Sequence, residues 1–181
     1  MIRLWGGGWY ETDYFYAVCD RLGIMVWHDF PFANSMYMAD YDMLANIIAE
    51  TRDNLRRIRN HPSVVFFNGN NEIMQGWQQW GWSGLNGGKL QNLVHDWYLK
   101  IFEKVLPGMV ALECPDRSYI PTSPMVDYGN ERNGNVHYWM VFWGRADFLA
   151  YEDVLGRFNS EYGMQSLTHL SSIKQFTTNI A

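Results

Sequence analysis

The chain has 181 residues, of which 48% are hydrophobic and 18% charged, with a formal net charge of −5. This composition supports a folded core and argues against a disordered tail or a basic surface built for nucleic acid. Cys19 and Cys114 make neither a disulfide framework nor a metal-ligand cluster. No apolar run approaches the ~20 residues of a membrane span, and Met1 to Trp5 run into Gly6-Gly7-Gly8 without the pattern of a signal peptide, so a soluble chain of open compartment is expected.

In chain order, short runs rich in β-branched and aromatic residues at 2–5, 24–28, 63–68, 118–122, 136–139 and 157–160 predict strands, most of them apolar enough to be buried on both faces. Between them, 12–22 has Phe15, Val18, Cys19 and Leu22 at helical spacing, with Gly23 as a C-terminal stop. A second helix is predicted over 40–60, with Leu44, Ile47, Ile48, Leu55 and Ile58 inward, the run Arg56-Arg57-Ile58-Arg59 solvated, and His61-Pro62 as its end. A third, 89–106, carries Leu90, Leu93, Val94, Trp97, Ile101 and Val105 and closes at Pro107-Gly108. The stretches 75–88 and 125–134, rich in Gly, Asn, Trp and Tyr, read as functional loops on the rim where strands end.

Strands alternating with helices predict an α/β fold around a parallel sheet, in one domain over 1–181. Six such units fit an eightfold (β/α) TIM barrel, although a closed barrel takes about 250 residues. The expectation is therefore an incomplete barrel short of two units. Its two unpaired strand edges would offer a route to self-association.

Two segments carry the chemistry. Val64 to Asn68 is a buried strand that breaks into Gly69-Asn70-Asn71 and presents Glu72, and Arg157 to Ser160 is a strand that ends at Glu161, followed by Tyr162-Gly163. In a barrel of this kind the C-terminal strand ends build the active site. Glu72 could equally cap the next helix together with Asn70 or Asn71. Two carboxylates about 5–5.5 Å apart are what a retaining glycosidase requires. Tyr162 and Arg157 are candidate neighbours of Glu161. Aromatic residues make up 17% of the chain, and Trp and Tyr offer flat apolar faces suited to sugar rings as well as to core packing. Asp29 and His28 stand at no ligand-like spacing and no phosphate-cradling Gly motif is present, so neither a metal nor a cofactor is expected.

Ile2-Arg3-Leu4-Trp5-Gly6-Gly7-Gly8, Val26-Trp27-His28-Asp29-Phe30, Gly69-Asn70-Asn71-Glu72 and Ser160-Glu161-Tyr162-Gly163-Met164-Gln165-Ser166, in that order, resemble β-mannosidases of glycoside hydrolase family two. The resemblance implies a TIM-barrel catalytic portion covering strands two to seven, without the β-sandwich domains that flank it in the family. It implies Glu72 as general acid/base, Glu161 as nucleophile and Asn71 as partner of the sugar 2-hydroxyl. Trp5, Asp29, Trp80, His137 and Trp139 are the remaining candidates for substrate contact. The implied partner is an oligosaccharide with a terminal non-reducing β-D-mannose. The usual family motif has Gln where this chain has His28. An exo-β-glucosaminidase of the same family is the alternative enzyme, and a non-catalytic fragment that binds sugar or self-associates is the alternative of another class.

Overall fold

The computed structural model describes residues 1–125, 135–143, 146–153, 157–164 and 167–178. Most of the loop expected at 125–134, together with Gln165 and Ser166, lies outside the described residues. The chain divides into two compact units, Met1–Asn130 and Glu131–Ala181.

In the first unit the order is β1 (Ile2–Leu4), α1 (Asp13–Leu22), β2 (Val26–Asp29), α2 (Tyr41–Ile58), β3 (Val64–Asn68), α3 (Ile73–Gln79), α4 (Gln91–Lys100), α5 (Leu106–Glu113) and β4 (Ser118–Ile120). The four strands form one parallel sheet in the order β1-β2-β3-β4, as alternating strand–helix units dictate. β2 is buried at every residue, its polar His28 and Asp29 included. Tyr16, Val26, Phe30, Leu55, Ile58, Phe67, Ile101 and Leu106 form the core between sheet and helices.

Local chemistry sets the helix ends. Gly23, at φ 67°, closes α1 in the left-handed conformation that glycine adopts without strain. Asp40 caps α2 by accepting from the Met43 backbone N–H at 2.9 Å. The inward face of α1 is centred on Tyr16 and Cys19, whereas Leu22, expected inside, is 61% exposed because it closes the last turn beyond the sheet's cover. The arginine run on α2 does more than face solvent: Arg56 and Arg59 reach Glu113 of α5 at 2.9 and 3.4 Å, and Arg57 reaches Asp13 of α1 at 2.6 Å.

The third predicted helix departs from expectation at both ends. Leu90 and Leu93 are exposed, and the helical path continues past Pro107 to Glu113. A π-helical turn, Ile101–Val105, joins α4 to α5, with the Leu106 N–H reaching back five residues to the Ile101 carbonyl. This re-phases the hydrogen bonds just before the proline, which enters in the first turn of α5, where its missing N–H is least costly. The stretch 75–88 is largely helical too, as α3 and a 3-10 segment, Trp82–Gly88. The Trp82 ring lies so close to Gly76 that an added Cβ would sit 2.6 Å from it, so the aromatics here pack the chain against itself.

The second unit holds β5 (Asn135–Tyr138), α6 (Ala150–Asp153), β6 (Phe158–Tyr162) and α7 (Leu170–Phe176). β5 and β6 pair in parallel. Burial on both faces, expected for most strands, holds at every residue only in β2 among the described strands: β1, β4 and β6 each carry exposed residues, and in β6 these include Phe158 and Tyr162. Across the described residues no helix is long and apolar enough to cross a membrane.

Candidate active site

Residues 70–72 continue the sheet beyond β3 as single bridges. Asn71 pairs in parallel with Ala33 on one side and Ser123 on the other. Its N–H donates to the Phe32 carbonyl at 2.9 Å, and its carbonyl accepts from the Asn34 N–H at 3.0 Å; the Glu72 N–H donates to the Ser123 carbonyl at 2.8 Å. The path between two neighbouring segments is narrow, and Gly69 fits it because a Cβ there would come within 2.4 Å of the Pro121 carbonyl oxygen.

Capping of α3 falls to Asn70, whose Oδ1 accepts from the Ile73 N–H at 3.1 Å. Glu72 occupies the N-cap position but makes no side-chain cap bond. It is 8% exposed and sits at φ 60°, a left-handed conformation uncommon for a residue with a long side chain. Its Oε2 accepts from Asn34 Nδ2 at 2.7 Å, Asn34 Oδ1 accepts from Asn71 Nδ2 at 2.9 Å, and Asn71 Oδ1 accepts from Arg3 Nη2 at 2.8 Å.

Arg3 is anchored in turn by Asp29. The guanidinium donates to both carboxylate oxygens, at 2.7 Å through Nη2 and 3.3 Å through Nε. Asp29 also accepts from the Gly6 N–H at 3.1 Å, Trp27 Nε1 at 2.8 Å and Asn68 Nδ2 at 2.8 Å, so its charge is fully enclosed and paired. The first of the three glycines serves this hub: a Cβ on Gly6 would lie 2.5 Å from the Phe32 carbonyl oxygen, so only glycine brings its N–H to Asp29. Trp5, 51% exposed, lays its ring over Gly7.

His28 supports the hub from behind. Its Nδ1 lies 2.8 Å from the Asp29 carbonyl, which can only accept, so Nδ1 carries the proton and Nε2 accepts from the Tyr16 hydroxyl at 2.8 Å. Burial pushes the imidazole pKa down to about 4 despite that carbonyl, and burial likewise pushes the Tyr16 phenol up to about 12.

Trp80 stands at the C-terminal end of α3, edge-on to Trp82 with ring centroids 5.5 Å apart. In the second unit, Glu161 Oε2 accepts from Trp139 Nε1 at 3.2 Å and lies 3.5 Å from His137 Nδ1. The strands reach this arrangement through a bulge. Val136 pairs with Asn159 but His137 pairs with Glu161, which leaves Ser160 as the extra residue. The Ser160 hydroxyl is held by Asn135 Oδ1 and the Val136 carbonyl. Gly163 then gives room for the Trp139 ring, since a Cβ would sit 2.6 Å from Cζ3.

No protein-family model matches the chain. Over 99% of its length it is 41% identical to β-mannosidase B of Aspergillus terreus, and over its whole length 40% identical to β-mannosidase B of Emericella nidulans; it spans 22% of each. The crystal structure of β-D-mannosidase from Dictyoglomus thermophilum superposes on 98% of the chain with a TM-score of 0.80 and 37% identity, using 21% of that enzyme. The chain is homologous to part of the β-mannosidases.

Its parallel, alternating β/α units match the corresponding part of the β-mannosidase structure. Of the residues read from the sequence, Asp29, Asn71 and Glu72 gather in the first unit, and His137, Trp139 and Glu161 in the second. The sequence reading missed Arg3 and Asn34, which join the first set. Arg3 had a legible signal, a lone charge inside a short strand. Asn34 had none, because its role depends on a left-handed backbone and a neighbour 38 positions away.

Proposed function

We propose that the chain carries both catalytic carboxylates of a retaining exo-glycosidase of glycoside hydrolase family two, hydrolysing terminal non-reducing β-D-mannose residues from oligosaccharides. The observation that carries this reading is the chain-long homology to β-mannosidases together with a glutamate at the C-terminal end of a parallel strand in each unit. The fold it implies is one catalytic domain, strands two to seven of a TIM barrel, whose strand ends face the sugar.

In this reading Glu161 attacks the anomeric carbon while Glu72 protonates the departing oxygen. Glu72 then takes a proton from water, which hydrolyses the mannosyl–Glu161 ester with overall retention. Trp139 donates to Glu161 at 3.2 Å and His137 lies beside it at 3.5 Å, contacts that orient the carboxylate for attack. Asn71 has a second amide hydrogen besides the one given to Asn34, and it goes to the sugar 2-hydroxyl. Asp29 orders Arg3 and the strand ends beneath the subsite, while Trp5 and Trp80 wall the sugar.

The test is a panel of nitrophenyl glycosides on the full-length protein, with Glu161→Ala and Glu72→Ala beside it. Turnover of the β-mannoside is expected, with losses of about 10⁵–10⁶-fold for the first variant and ~10²–10⁴-fold for the second. Azide should restore Glu72→Ala as a β-mannosyl azide former. Better turnover of a β-glucoside or β-glucosaminide would replace the mannose assignment, and an active Glu161→Ala would remove the nucleophile assignment.

A further inference from the structure

Arg3, Asn71, Asn34 and Glu72 are joined by three hydrogen bonds of 2.8, 2.9 and 2.7 Å that all point the same way. The direction is fixed at its origin. A guanidinium only donates, so the Asn71 amide must turn its oxygen to Arg3 and its nitrogen to Asn34. Asn34 must then turn its oxygen to Asn71 and its nitrogen to Glu72. The far end agrees, because the Glu72 Oε2 that faces Asn34 accepts, and the proton Glu72 delivers is carried by its other oxygen. Neither amide can flip without placing two donors or two acceptors face to face at both of its contacts.

The backbone beneath this chain of bonds is equally constrained. Asn34 and Glu72 are the two non-glycine residues with positive φ among the described residues, at 48° and 60°. Asparagine tolerates that region better than most side chains, and strain of this kind gathers at functional sites. The same two segments are bridged by the Asn34 N–H to the Asn71 carbonyl, so side-chain and main-chain registers lock together.

Resting on the assignment of Glu72 as acid/base, we propose that Asn34 is a positioning residue for it. The Arg3–Asn71–Asn34 relay holds Oε2 and so sets the plane from which Glu72 delivers its proton to the leaving oxygen. A relay of this kind matters most when the leaving group needs that proton, because proton transfer demands hydrogen-bond geometry at the reacting atom.

Asn34→Gly separates this role from folding, since glycine keeps the left-handed backbone and removes only the amide. In the full-length protein, kcat/KM for a β-mannoside with an unactivated sugar leaving group should fall about tenfold further than for the dinitrophenyl β-mannoside, as loss of a hydrogen bond to a charged group implies. The difference should lie in kcat rather than KM. Asn34→Asp, which places an acceptor where a donor stood, should widen that gap. Equal falls on both substrates, or no fall, in a protein whose wild type is active would overturn the relay. A wild type inactive on every β-mannoside would instead sink the functional reading. The relay would then still be decided by a crystal structure of Asn34→Gly: a displaced Glu72 carboxylate supports it, and one unmoved refutes it.

Discussion

Glu72 follows β3 and Glu161 lies near the C-terminal end of β6, yet their surroundings differ in kind. Glu72 is held by an amide at the end of a relay that begins at a buried ion pair, and its backbone is pinned between two neighbouring segments. Glu161 lies in a two-stranded ladder, its side chain 16% exposed, facing an indole N–H and an imidazole whose own side chain is 1% exposed. Among the described contacts, Glu72 joins a network with many members, while Glu161 meets two rings beside a bulge. Damage to the first should therefore spread through its unit, whereas damage to the second should stay local.

The largest test of that difference is Asp29→Asn. Four partners donate to this carboxylate, and removing its charge breaks its buried ion pair with Arg3. Breaking such a buried pair costs about 3–5 kcal/mol. Thermal melting of the full-length protein should show a large fall in Tm, with Glu72 chemistry lost alongside. A variant that melts like wild type would mean the network is not what holds the first unit together.

A second test sharpens the comparison by pH. His28 packs among Tyr10, Tyr16 and Phe67, with Arg57 over the far ring of Tyr16 and His61 beside that ring. Because its folded pKa of about 4 lies below the ordinary value near 6.5, the native state prefers the neutral ring. The corresponding stability is present above pH 6.5 and is lost as pH falls towards 4, a contribution on the order of 3 kcal/mol. His28→Gln should flatten the acid limb of Tm against pH across that window. Glu113 acts in a lower one: its bond to Arg56, with the charges of Arg56, Arg59 and Arg52, holds its carboxyl below the ordinary value, so its contribution fades only at more acidic pH. An unchanged slope between pH 6.5 and 4 in His28→Gln would remove His28 from the account.

The same contrast explains what could be read from the sequence. The six strands of the described residues were legible, because short runs of Val, Ile, Phe and Tyr between helical periods leave little choice. Glu72 and Glu161 stood out because each stands at or just past the end of such a run. Asn34 did not, and neither did the bulge at Ser160, since both depend on partners distant in sequence. Leu90 and Leu93 were assigned inward on a regular 3.6-residue period, while the buried stripe Tyr98, Ile101, Phe102, Leu106, Met109 and Val110 follows a path re-phased by a π-turn. The exposure of β6 was hidden for another reason: Arg157 to Ser160 offered too few residues to set a pattern.

The smallest effect belongs to the second unit. Gly163 stands where a Cβ would meet the Trp139 ring at 2.6 Å. Gly163→Ala must push the indole aside, at an overpacking cost of about 1–3 kcal/mol. Because Trp139 Nε1 donates to Glu161, the shift should lengthen that 3.2 Å bond and lower turnover of good and poor leaving groups alike, since both need the nucleophile. This pattern is the opposite of the one expected at Asn34. A variant that discriminated between leaving groups would mean that the two carboxylates are not supported separately, and the division between network and ring contact would fail.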